Sequence, residues 1–150
     1  MTAKSDFTED EWDLIAGAPP TAGMMVITAQ RGGTFRETYS IAKSYSETRK
    51  SHGASELLDA IVSSKPEIDH KRYHTYDELK QHTLQMLRDA VALLDTKATT
   101  EEVEDYKHFA VSLAERVAKA HHERGNEDNV SESERAAIDE IAGTLGVAAP

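Results

Sequence analysis

The chain reads as all-α, a single-domain helical bundle of five to seven helices, and three observations carry that reading. Ser/Thr-x-x-Glu stands ahead of a segment with helical periodicity at five places, Thr8/Glu11, Thr34/Glu37, Thr75/Glu78, Thr99/Glu102 and Ser131/Glu134. In this capping box the hydroxyl accepts a bond from the N3 N–H and the Glu reaches back to the N-cap N–H, so two orphan donors are satisfied together. Apolar residues in the two longest segments recur at intervals of three and four. Gly and Pro fall between the periodic segments, at Pro19-Pro20, Gly32-Gly33, Gly53 and Gly146.

The first helix begins at Thr8, where Phe7 and Trp12 occupy the staple positions on either side of the cap. Pro19-Pro20 predicts its end near Gly17, because an interior proline removes a backbone donor and crowds the preceding turn. Proline suits a first helical turn, so a second helix is expected from Pro20 through Met24, Val26 and Ile27, stopping at Gly32-Gly33. Its apolar and small residues surround it on most sides, which places it centrally. A third helix over 34–51 carries Phe35, Tyr39, Ala42 and Tyr45 inward, and a short amphipathic helix gathers Leu57, Leu58, Ile61 and Val62. The charged stretch 64–74, marked by Pro66, reads as an exposed connection, and residues 1–6 read as disordered.

Two long helices follow. Segment 75–94 places Leu79, Met86, Ala90 and Leu93 or Leu94 on one side, with Thr83 as a polar interruption. Segment 99–121 sets Val103, Tyr106, Ala110, Leu113, Val117 and Ala120 on a heptad seam. A short turn joins them, so an antiparallel 75–94/99–121 hairpin is the expected centre of the bundle. The last helix, 131–145, turns Ile138, Ile141, Ala142 and Leu145 inward and stops at Gly146. A loose echo of Ala22-x-x-x-Val26-x-x-Ala29 in Leu113-x-x-x-Val117-x-x-Ala120 is explained by close packing of small residues without invoking duplication.

Composition narrows the function classes. A chain of 150 residues can bury roughly two-thirds of its unfolded surface, so its core needs no staples. There are no cysteines, which removes disulfides, thiolate-ligated metals and thiol catalysis together. No apolar run is long enough to span a bilayer and no signal peptide is visible, so a cytoplasmic location is expected. Net charge is −10 and unevenly placed: residues 1–75 carry 9 Lys/Arg against 11 Asp/Glu, and residues 76–150 carry 8 against 16. Such a balance disfavours nucleic-acid binding, which rests on neutralising phosphates. Solubility is the plain reading of the acidic half, and binding of a cation or a basic partner is the sharper one.

Chemical motifs are fragmentary. His122-Glu123 begins a zincin pattern, but position 126 is Asn and the second ligand is missing. Ser40-Ile-Ala-Lys43 matches Ser-x-x-Lys without the other elements of the penicillin-recognising fold. Asn129-Val-Ser131 is formally a sequon and reads as the approach to a helix cap. Gly32-Gly33 beside Arg31 and Arg36, and the basic stretch His70 to His74, are anion-binding candidates. His121 and His122 close a long helix, where a cation complements the dipole, and Glu127 and Asp128 follow in the loop. These four residues are the candidate ligands for a divalent cation, although neighbouring histidines point about 100° apart on a helix. No nucleophile–base pair, carboxylate pair or cofactor motif is recognisable, so no enzyme activity and no cofactor are expected.

The stretch Tyr106, Phe109, Ala114, Val117-Ala118 and Ala120, then Val130-Ser131, Glu134, Ile138, Ile141 and Leu145, resembles the closing helix pair of small bacterial all-helical proteins. More distantly it is similar to TerB-like tellurite-resistance domains. That resemblance covers about 40 residues and implies a helix pair around an acidic turn linked to cation binding. The turn here, 121–129, is longer and lacks the family's Ala-Asp-Gly type signature. The expected function is a non-enzymatic intracellular helical interaction module, working through a protein partner or through self-association as a homodimer. Leu84, Leu87 and Phe109 fall off the main seams and are its candidate interface. A TerB-like cation-binding stress-response domain is the alternative.

Overall fold

A computed structural model of the chain describes residues 4–29, 57, 60–61, 75–123 and 132–147. The described residues form four α-helices, α1 Glu9–Ala29, α2 Tyr76–Lys97, α3 Thr100–Glu123 and α4 Glu132–Leu145, preceded by a 3-10 turn at Lys4–Asp6. No strand occurs among them, so the all-α class holds. The expected helix over 34–51, the connection 64–74, and the Thr34 and Ser131 caps lie outside the described residues. Of the expected short helix, Leu57 and Ile61 are helical and wholly buried. The 3-10 turn orders the end of a segment expected to be irregular.

The entry to α1 forms as its sequence dictates. The Thr8 N–H donates to the Glu11 carboxylate at 2.9 Å, and the Glu11 N–H donates to the Thr8 hydroxyl at 3.2 Å. Phe7 and Trp12 close the staple with ring centroids 6.0 Å apart. The expected break at Pro19-Pro20 does not occur: one helix runs from Glu9 to Ala29 with both prolines inside it. The prolines remove the donors that would serve the carbonyls of Ile15 and Ala16. A distant residue compensates for the first, because the Tyr106 hydroxyl donates to the Ile15 carbonyl at 2.7 Å. Packing supplies the rest. Every residue from Ala18 to Val26 is buried. Two interior prolines cost about 6 kcal/mol together, and burial of Ile15, Met24, Met25 and Val26 at about 1.5–3 kcal/mol each offsets that. The central position expected for this segment is what makes its continuity affordable.

In α2, Thr75 is the N-cap and accepts from the Glu78 N–H at 3.1 Å. The inward stripe is Leu79, Thr83, Leu87, Ala90 and Leu94. Thr83 therefore belongs to the buried face, and Leu87 takes the place expected for Met86. Met86 lies to one side, with its Cε 3.6 Å from where a Cβ on Gly17 would stand, so α1 and α2 approach closely there.

The Thr99/Glu102 box forms in full at the start of α3: Thr99 N–H donates to Glu102 at 3.1 Å, and Glu102 N–H donates back at 3.2 Å. Val103, Tyr106, Ala110, Leu113 and Val117 are buried as the heptad reading requires. Phe109, Val111, Ala114 and Ala118 are buried as well. The reason is the arrangement of neighbours. α1 packs most extensively on α3 and α2, whereas α2 and α3 touch each other least of all the helix pairs. The centre of the bundle is thus α1, not the expected 75–94/99–121 hairpin. A segment buried on all sides, as 18–26 of α1 is, needs several partners, and it occupies the space in which α2 and α3 would otherwise meet.

α4 buries Glu134, Ala137, Ile138, Ile141, Ala142 and Leu145. It ends in a Schellman motif: the Val147 N–H donates to the Ala142 carbonyl at 3.0 Å and the Gly146 N–H to the Gly143 carbonyl at 3.3 Å. Gly146 is left-handed, with φ 74°, as its C′ position demands. One hydrophobic core links all four helices.

Candidate functional site

The first helical turns of α1 and α3 lie at one end of the bundle. The last residue of α2, Lys97, reaches the Glu11 carboxylate at 3.0 Å and the Asp6 carbonyl at 3.1 Å, and α3 begins three residues later. Its ammonium also stands 5.5 Å from the centre of the Phe7 ring. Deeper in, Tyr106 meets Ile15 about two turns from each helix start, so α1 and α3 leave this end side by side.

Two macrodipoles therefore direct their positive ends to the same place, which favours carboxylates in the first turns. Glu11 answers that field. The Thr8 backbone N–H, and then Lys97, hold its carboxyl below the usual range. Carboxylates exceed what capping uses. Asp6, Glu9, Asp10, Asp13, Asp95 and Glu101 are all exposed at or near this end. Asp13 and Asp105 lie beyond the first turns, where the dipole effect has faded. Glu104 is drawn toward Lys107 at 3.4 Å. Chemically, the end of the bundle is an exposed, predominantly anionic surface suited to cations or cationic side chains.

A second polar group spans α2 and α4. Lys80 pairs with Glu140 at 3.0 Å, and that hydrogen bond raises the lysine above its ordinary range. Burial, and then the Glu140 charge, raise the Tyr76 phenol. Both partners of the ion pair are about a third or more exposed, so solvent screens it and it fastens α4 to α2 only weakly.

The residues singled out in the sequence fall elsewhere. His121 and His122 belong to the final turn of α3, and Glu127 and Asp128 lie outside the described residues. Among the described residues no group of three or more His, Asp or Glu is placed to hold a metal ion. The candidate interface strip requires correction. Leu87 is wholly buried, Phe109 is 7% exposed, and Leu84 is partly buried against the core. They fall off the two-helix seams because α1 and α4 bring additional surfaces to bear on α2 and α3.

The acidic end escaped the sequence reading because its members come from 6–13 and 95–105, and only contacts distant in sequence, Lys97 with Glu11 and Tyr106 with Ile15, show that these meet. The signal available was indirect: two capping boxes rich in first-turn acids, with the second following a short connection. No helix of the described residues is long and apolar enough to cross a membrane. No protein-family model, no curated protein and no solved structure matches this chain.

Proposed function

We propose that the chain is a non-enzymatic helical interaction module that engages a protein partner through the acidic end of its bundle, where α1 and α3 begin. The observation that supports this reading is the excess of exposed carboxylates there, Asp10, Asp13 and Glu101 among them, over those consumed in capping. A predominantly acidic surface steers a complementary partner and raises its association rate, more than it adds affinity. The fitting partner is a Lys/Arg-rich segment.

The test is fluorescence anisotropy of a labelled Lys/Arg-rich peptide titrated with the protein at low and at physiological salt. Binding that weakens with salt and is lost in Asp10→Lys/Asp13→Lys/Glu101→Lys supports the reading. Equal binding by the reversed variant, or none by either protein, overturns it. The competing reading, a TerB-like divalent-cation domain, draws on the acidic C-terminal half of the sequence. It predicts instead a rise in Tm with calcium or manganese that His121→Ala/His122→Ala/Asp128→Ala removes, since an ion binding only the native state stabilises it.

A further inference from the structure

We infer that α1 is hinged at Pro19-Pro20 and that the Tyr106 hydroxyl is the latch that holds its two halves as one helix. The segment Gly17-Ala18-Pro19-Pro20-Thr21-Ala22-Gly23 combines two prolines with two glycines, the four residues least suited to a helix interior. Its helical state is therefore imposed from outside. Two successive ladder donors are missing, those that would serve Ile15 and Ala16.

Two side chains span the gap. Tyr106, wholly buried in α3, donates to the Ile15 carbonyl at 2.7 Å. Thr21 donates from its hydroxyl to the Gly17 carbonyl at 2.7 Å, adding a second bond to that turn from beyond the prolines. The tyrosine bond comes from another helix, so it reports the position of α3 to the weakest point of α1. Without the latch the Ile15 carbonyl is buried with no replacement for its lost donor, so α1 opens first at the turns around Pro19-Pro20, while its capped start stays with α2 through Lys97.

Hydrogen exchange resolved by residue tests this. In Tyr106→Phe the amides of Thr21 to Val26 exchange faster by about tenfold or more, while those of α2 and α4 keep their protection. Pro19→Ala restores a backbone donor to Ile15, so exchange of the same amides slows, and Tyr106→Phe then has little effect in that background. Acceleration spread evenly over all four helices overturns the latch, as does an undiminished effect of Tyr106→Phe beside Pro19→Ala. Should Tyr106→Phe alone fail to fold, the double variant decides: a folded protein supports the inference, and an unfolded one overturns it.

Discussion

Thr83 offers a sharp test of how the interior is built. It lies on the buried stripe of α2 with no exposure, and its hydroxyl has no hydrogen-bond partner among the described residues. Thr21, on α1, is also buried, but its hydroxyl donates to the carbonyl four residues back at 2.7 Å. Replacing either with Val exchanges a hydroxyl for a methyl, with the same branched shape and little change in helix propensity. The two substitutions should nevertheless act in opposite directions. At Thr83 the change removes a desolvated group that costs about 1–3 kcal/mol and buries an additional methyl. Allowing for partial relaxation, Thr83→Val should stabilise by about 1–2 kcal/mol, a Tm rise of about 3–6 °C for a chain of this size. At Thr21 a satisfied bond is lost, so Thr21→Val should destabilise by about 1 kcal/mol. Urea unfolding followed by circular dichroism, with a shared slope for the three proteins, measures both. A fall in stability for Thr83→Val would show that its hydroxyl has a partner, and the account of the α2 face would then be wrong.

Other substitutions separate packing from association. Leu87→Ala should cost about 2–5 kcal/mol in urea unfolding, because Leu87 is wholly buried; an unchanged midpoint with altered sedimentation would return it to an interface. Phe109→Asp should unfold the chain, not merely separate copies of it, which loss of the far-UV helical signal would show. Gly146→Ala should lower stability by about 1–2 kcal/mol, since a Cβ there meets nothing within 4 Å and the cost is that of the left-handed backbone alone; an unchanged Tm would mean that the Schellman turn relaxes at no cost.

How much of this was legible depends on the distance over which each determinant acts. Capping boxes act within three residues, and the boxes at Thr8 and Thr99 and the Thr75 cap form where the sequence places them. Periodicity acts within a helix, and it locates the inner residues of α3 and α4. It is less sure in α2, where Met86 and Leu87 are both apolar and about 100° apart, so only the direction of the neighbouring helix decides between them. The continuity of α1 lies beyond local reading altogether. Proline rules correctly identify the lost donors at positions 19 and 20, but the donor that replaces one of them is Tyr106, 91 residues away in sequence. The hairpin expectation fails for a related reason. Chain adjacency brings α2 and α3 to a common end, yet the all-round burial of Ala18 to Val26 requires α1 to have partners on several sides, and that demand outweighs adjacency. The acidic end follows from the same arrangement. With α1 central and Lys97 drawing its start toward the start of α3, the first-turn acids of two distant segments become neighbours, and a charge excess that is diffuse along the chain becomes a surface.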